Sequence, residues 1–253
     1  HFGHQVSRWN PRAKDFIYTE RDGVHIIDLA KTKAGLEAAA DFVKTTAVKG
    51  GAVIFVGTKR QARAIIQEEA KVSNALYLIE RFPGGLLTNW EEMKKNLDKL
   101  NRMREEKVNG SWSQFTKKEA LMLSRELLKL EKLYGGVASL KGKPEAIFLV
   151  DIKKEEGAVR EAIRMEVITI AIVDTNTNPN SIDYPIPAND DALGSIKFIT
   201  HYLAEAFKEG KEIFEKIAAD KAVVSKPAEP AKPAKLTKPV KAKKTIVKKV
   251  KTK

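Results

Sequence analysis

The chain has 253 residues, with 46 lysines and arginines against 33 aspartates and glutamates, and it has no cysteine. This length is enough for one large or two small hydrophobic cores. Without cysteine there is no disulfide scaffold, thiolate metal site or thiol nucleophile, and the composition suits the cytoplasm. The longest apolar runs, 146–150 and 167–173, are far shorter than the roughly 18 residues of a membrane helix, so no membrane partner is expected.

The net charge of +13 is unevenly distributed. Residues 226–253 contain eleven lysines and one glutamate, a net charge of +10, which leaves +3 for residues 1–225. This C-terminal segment consists mainly of lysine, proline, alanine and valine without a helix or strand period. Such a segment cannot bury enough apolar surface to offset the entropy of ordering. We therefore predict a body over 1–220 and a disordered basic tail over 221–253, which either touches RNA or is simply solvated.

The first 14 residues have no helix or strand period and are predicted to form an ordered loop. Arg8, Arg12 and Lys14 flank Trp9, a mixture of cations and a stacking surface that suits RNA, although Trp9 could equally plug the edge of the core. His1 and His4 have the spacing of a metal pair, but no third ligand is close in sequence, so no metal site is predicted.

An alternation of strands and helices follows, which predicts an α/β fold. Asp22-Gly23 between β-rich runs predicts a hairpin, and the Ala-rich segment 32–48 predicts a helix with Thr32 as its N-cap. The unbroken apolar run 52–56 is typical of a parallel strand buried on both faces.

Directly after that strand, Gly57 allows a turn, and Thr58 with Gln61 predicts a capping box that starts a helix. The helix opens with three cations. A strand, a glycine turn, a helix N-terminus and cations are typical of a phosphate-binding corner. The cations are Lys59, Arg60 and Arg63.

The phosphate could belong to a nucleotide in an enzyme or to a nucleic-acid backbone, and a surface turn with solvated cations explains the pattern as well. Neither G-x-G-x-x-G nor G-x-x-x-x-G-K-[ST] is present, which disfavours the enzyme.

The alternation is interrupted after strand 75–79 and the loop that begins at Arg81. Segments 90–107 and 116–134 have apolar residues in steps of three and four, and Thr116 with Glu119 forms a capping box. They predict an antiparallel helical hairpin over 88–134, a coiled-coil arm that mostly packs on itself and projects from the body. Cations on its outer faces, most of them expected to be simply solvated, include Lys94, Lys95 and Arg102.

The α/β pattern then resumes with strands 146–150 and 167–173, helix 155–165, a short proline-containing strand 184–187 and a last helix to about 220. Asp151 and Asp174 follow strand ends, where doubly wound folds place ligands and catalysis. Neither comes with a nucleophile or a positioned histidine. Asp190 and Asp191 are predicted to cap the last helix.

Several motifs closely resemble the family of the bacterial-type small ribosomal subunit protein two. They span residues 1–210 in order: 1–3, 8–11, 23–29, 55–59, 81–90, 173–176 and 182–191. The resemblance implies a flavodoxin-like parallel sheet with a protruding helical hairpin. It also implies a ribosomal structural protein that binds small-subunit RNA between head and platform, contacts small-subunit protein one, and is not an enzyme. The lysine-rich tail lies outside the shared pattern.

We therefore expect an RNA-binding protein of the small ribosomal subunit, a monomer within the cytoplasmic ribosome, without cofactor or catalytic residue. The rival hypotheses are a nucleotide-dependent enzyme or phosphate sensor that uses the Gly57 corner, and a non-ribosomal scaffold. The predicted RNA-binding residues are Arg8, Trp9, Asn10, Arg12, Lys14, Lys59, Arg60, Arg63, Arg81, Lys94, Lys95 and Arg102.

Overall fold

The computed structural model describes residues 1–224 of the chain, with side chains through residue 219. Within that range the strands are β1 (Phe2–Gln5), β2 (Ile17–Arg21), β3 (Val24–Ile27), β4 (Val53–Val56), β5 (Leu76–Leu78), β6 (Ala146–Leu149), β7 (Ile168–Val173) and β8 (Tyr184–Pro187). The α-helices are α1 (Leu29–Val48), α2 (Arg63–Val72), α3 (Trp90–Val108), α4 (Lys117–Tyr134), α5 (Glu156–Arg164) and α6 (Leu193–Val224).

Five strands form a parallel sheet in the order β5-β4-β6-β7-β8. The chain enters the sheet at β4, moves to the β5 edge and then crosses back over β4 to β6. This reversal makes the sheet doubly wound, with its topological switch point between β4 and β6. The predicted α/β class is confirmed, and the strand order is consistent with a flavodoxin-like fold.

Helices cover both faces of the sheet. Apolar side chains of α1, α2 and α6 pack on one face, where the rings of Phe55 and Phe148 meet edge to face at 5.5 Å. Side chains of α3, α4 and α5 pack on the other face against Ile54 and Leu149. Every residue of β4 and β6 is buried, as their unbroken apolar runs predict.

Helices α3 and α4 contact each other through ion pairs that flank an apolar seam. Lys99 pairs with Glu126, and the Arg104 Nε donates to Glu131 at 2.7 Å. Leu100 of this seam belongs to the same buried cluster as the sheet residue Ile54, so the seam contacts the body as well. The coiled-coil arm that projects from the body stays a prediction.

The prediction that the first 14 residues lack strand structure was wrong. β1, β3 and β2 form a three-stranded antiparallel sheet, and Asp22 and Gly23 at the β2–β3 turn have φ angles of 52° and 74°, which confirms the hairpin. The small sheet sits on the carboxyl end of β7, because the Asn10 amide donates to the Thr175 carbonyl at 2.8 Å. A Cβ on Gly3 would lie 2.7 Å from the Thr175 side chain, so only glycine permits this approach.

The start of α1 and the end of α6 differ from prediction. Asp28, not Thr32, caps α1 by accepting from the Ala30 amide, while the Thr32 hydroxyl donates to the Pro187 carbonyl of β8. The Thr116–Glu119 capping box of α4 is confirmed. At the other end, α6 continues four residues beyond the predicted end of the body, and residues 225–253 of the predicted tail lie outside the described residues.

Candidate nucleic-acid interface

The corner after β4 is closed by the protein's own side chains. The buried Thr58 hydroxyl donates to Glu155 from the start of α5, and the Thr58 carbonyl accepts from Lys154 Nζ and Arg63 Nε, both at 3.0 Å. The predicted Thr58–Gln61 capping box was wrong, because α2 begins at Arg63 and its N-cap residue provides no side-chain bond. Gly57 is required for a different reason than a turn: a Cβ there would lie 2.4 Å from Ile66.

Lys59 points into a cluster of carboxylates. Its Nζ lies 2.7 Å from Asp191, 3.0 Å from Asp190 and 3.6 Å from Asp151, and only 15% of its side chain is exposed. Burial lowers the pKa of Lys59, but hydrogen bonds to Asp191 and Asp190 outweigh it and hold the pKa above its ordinary value. Lys59 is therefore an internal counterion of the folded body.

Burial raises the pKa of Asp190 from 3.8 to about 6, although Lys59 opposes the shift. The prediction that Asp190 and Asp191 cap α6 is wrong, because in residues 1–219 neither side chain accepts from a backbone amide at the start of that helix. Asn189 instead holds the turn that leads into α6, where its side chain accepts from the amides of Asp191 and Ala192 at 2.7 and 2.8 Å.

The other two cations of the corner differ in availability. Arg63 Nη1 lies 3.3 Å from Glu80, with 40% of its side chain exposed. Arg60 is exposed and makes no ion pair within residues 1–219. The corner thus offers Arg60 to a ligand, while Lys59 and Arg63 are held by acids.

The N-terminal segment divides in the same way. Arg8, Arg12 and Lys14 are exposed and have no ion pair among the described side chains. Trp9 is half-buried with its ring 5.4 Å from the His25 ring, so it packs against the small sheet. Asn10 accepts from the Arg12 amide at 3.0 Å and so caps a 3₁₀ turn.

Arg81 is exposed in the loop after β5. That loop is fixed by Glu161 of α5, whose carboxylate accepts from the amides of Gly85 and Leu87 at 2.6 and 3.1 Å. Sequence reasoning missed Glu161, because nothing in its local pattern distinguishes it from an ordinary helix-surface acid.

Three further predicted residues lie on α3 and are exposed. Lys95 pairs with Glu92 at 2.6 Å and Arg102 with Glu106 at 3.7 Å, both within the helix, while Lys94 has no ion pair in the part of the chain with described side chains. Such exposed pairs contribute little to stability and leave the cations accessible.

Of the predicted residues, five exposed cations without ion pairs lie on segments at the carboxyl edge of the parallel sheet. Arg60 follows β4, Arg81 follows β5, and the N-terminal segment is bonded to Thr175 after β7. The carboxyl ends of parallel strands lie along one edge, so these side chains border a common surface. The five are Arg8, Arg12, Lys14, Arg60 and Arg81.

Behind that surface lies an acid-rich cluster that sequence reasoning also missed. His4 Nδ1 lies 3.1 Å from Asp174, and ligand atoms of His4, Asp190 and Asp191 all lie within 4.8 Å of one another, a spacing that could hold a cation. Lys59 Nζ already supplies positive charge there. A signal was available, since Asp174 and Asp190 follow neighbouring parallel strands.

The two aspartates considered for catalysis hold the backbone instead. Asp174 is buried and accepts from the Thr175 amide at 2.6 Å, and Asp151 accepts from the Lys154 amide at 2.9 Å.

None of the helices in residues 1–224 is long and apolar enough to cross a membrane. The switch point is filled by ion pairs and the rim carries cations, an arrangement that suits a doubly wound binding protein.

Comparison with known proteins agrees with this class. The family model for ribosomal protein S2 matches residues 1–210. The chain is 48% identical over 218 residues to the small ribosomal subunit protein uS2 of Dictyoglomus thermophilum, a match that covers 86% of this chain and 89% of that protein. It is 46% identical over 213 residues to uS2 of Desulfatibacillum aliphaticivorans, covering 84% of this chain and 72% of the relative.

The chain belongs to the ribosomal protein S2 family. It is a structural protein of the small ribosomal subunit and not an enzyme. The resemblance drawn from its motifs is confirmed, and the hypothesis of a nucleotide-dependent enzyme is set aside.

Proposed function

We propose that the protein binds small-subunit ribosomal RNA through the carboxyl edge of its parallel sheet. The observation that carries this proposal is the set of five exposed cations without ion pairs along that edge. Each can approach a phosphate without breaking an internal ion pair. The folded body has little net charge, so placement of these side chains, and not bulk charge, explains the binding.

The predicted residues differ in the internal contacts that each would lose on binding RNA. Arg8, Arg12, Lys14, Arg60 and Arg81 would contact phosphates directly, and Lys94, Lys95 and Arg102 would extend the contact along the α3–α4 arm. Lys59 and Arg63 would act by fixing the shape of the rim, and Trp9 and Asn10 by holding the N-terminal segment in place.

A salt series tests the proposal. The triple variant of Arg8, Arg12 and Arg60, each changed to Gln, should bind small-subunit RNA with a salt slope smaller by about 2 to 3, at 0.7–0.9 per lost phosphate contact. The matched control changes three exposed cations on α2 and α6 to Gln: Lys71, Lys197 and Lys208.

Both variants lose the same charge. Equal slopes for the two variants would refute the proposed surface, because bulk charge alone would then account for binding. The wild-type chain should also bind ribosomal RNA more tightly than an unrelated structured RNA. Equal affinity for the two RNAs would refute the specificity for ribosomal RNA.

We further propose that the protein acts as a monomer within the cytoplasmic ribosome and helps to dock small-subunit protein one. Membership of the S2 family supports this role. Small subunits depleted of this chain should retain less protein one on a sucrose gradient, and re-addition of the chain should restore it. Unchanged retention would refute the docking role.

A further inference from the structure

The three acids of α4 are all engaged within the protein. Glu119 accepts from Thr116 in the capping box, Glu126 pairs with Lys99, and Glu131 pairs with Arg104. Glu126 and Glu131 are therefore directed at α3, and Glu119 is bonded to the N-terminus of its own helix.

The opposite side of α4, which we call the outer face, carries cations only. At 3.6 residues per turn its charged positions fall within one arc of the helix. All of them are exposed, and none makes an ion pair within residues 1–219. They are Lys117, Lys118, Arg125, Lys129 and Lys132.

Large apolar side chains border these cations on the same arc. Leu121, Met122 and Leu128 have exposed fractions of 52%, 60% and 61%. Around the helix axis, Leu121 and Leu128 lie between Lys117 and Lys132 and are two turns apart along the helix, and Met122 lies beyond Lys129. The seam with α3 and the sheet is on the far side of the helix, where Leu127 is buried.

We propose that the outer face of α4 docks an acidic amphipathic helix of another protein of the small subunit. Such a helix offers carboxylates to the five cations and apolar side chains to the two leucines and the methionine. An RNA backbone would satisfy the cations but would leave the apolar side chains without a partner. The charge complementarity therefore favours a protein, and RNA is the alternative that the experiment must exclude.

The inference requires the chain to be in the small subunit but does not require the proposed RNA contacts at the sheet edge. Those contacts come from other elements. A failed salt-slope test would leave this inference standing, and the reverse also holds.

Site-specific photocrosslinking in intact small subunits tests it. A benzoylphenylalanine replaces Met122 in the full chain, and a matched control replaces Val72 of α2, which is 64% exposed. Met122 should give a protease-sensitive adduct, whose attached peptide is acidic with apolar residues at steps of three or four. The control position should not give that adduct.

A second variant confirms that the face itself is responsible. Changing Leu121 and Leu128 to Ser in the crosslinking chain should reduce the adduct by about thirtyfold, since two apolar contacts of about 1 kcal/mol each are lost. The thermal midpoint should fall by only a few degrees, because both side chains are more than half exposed and the main loss is helix propensity. Three outcomes would each overturn the inference. The adduct is removed by ribonuclease, Met122 gives no more adduct than the control position, or the double substitution leaves the amount of adduct unchanged.

Discussion

The placement of Lys59 leads to a prediction that separates stability from RNA affinity. Changing Lys59 to Met keeps the side-chain length but removes the ammonium that lies within 3.6 Å of three carboxylates. Leaving a buried charge without its partner costs about 3–5 kcal/mol. Because Asp191 is half exposed, we expect the lower end, about 3 kcal/mol at pH 7.5.

The cost should depend on pH in a definite direction. Asp190 has a folded pKa of about 6, raised above its ordinary 3.8. A raised folded pKa contributes stability below pH 3.8, which is lost as the pH rises through 6. In the variant the pKa of Asp190 rises further, so protonation at pH 5 removes part of the repulsion and the cost of the substitution shrinks.

The assay is urea unfolding of both proteins at pH 5.0 and pH 7.5, with Arg60→Met as the matched control. The control should change the free energy of unfolding by less than about 0.5 kcal/mol, because Arg60 is exposed and without an ion pair. Its RNA salt slope should fall by about 0.7–0.9, whereas that of Lys59→Met should not change. A Lys59→Met variant as stable as the wild type at pH 7.5, or equally destabilised at both pH values, would refute the reasoning.

Three further substitutions test single contacts by thermal or urea unfolding. Gly57→Ala should lower the free energy of unfolding by about 1–3 kcal/mol, because the new Cβ would lie 2.4 Å from Ile66. Gly142 has open space around it, so Gly142→Ala should be neutral, and equal effects of the two substitutions would contradict the close approach. Glu161→Gln should lower the free energy of unfolding by about 2 kcal/mol and speed amide hydrogen exchange at Gly85 and Leu87. Unchanged exchange at these amides would count against the role of Glu161 in the loop. Thr116→Ala should cost about 1 kcal/mol at pH 7. Bonds from the Thr116 amide and hydroxyl lower the pKa of Glu119, so the share of the cost that comes from the hydroxyl–carboxylate bond is present above pH 4.5 and lost as the pH falls; a cost that is the same in acid as at pH 7 would speak against the box.

What the sequence predicts correctly depends on local pattern. The buried runs of β4 and β6, the Asp22-Gly23 turn and the Thr116 box each have their cause within a few residues, and each is confirmed. The fold class followed from these elements.

The two main errors in the candidate site have a cause at long range. Thr58 has the local signature of a cap, but Glu155, 97 residues away, takes its hydroxyl. Lys59 looks like a phosphate ligand until the end of β8 brings Asp190 and Asp191 to it. In the candidate site, therefore, the sequence predicts which cations are candidates for RNA binding, but it does not predict which of them form ion pairs within the folded protein.

The attachment of β1 also has a consequence for the order in which the chain folds. The His4 amide donates to the Thr175 hydroxyl and the Phe2 carbonyl accepts from Asn189, across separations of 171 and 187 residues. Loop-closure entropy makes contacts of such separation slow to form. During synthesis, β1 must wait until residues 175–189 have emerged before it can dock on them, so the attachment of the small sheet to the body is one of the last steps of folding.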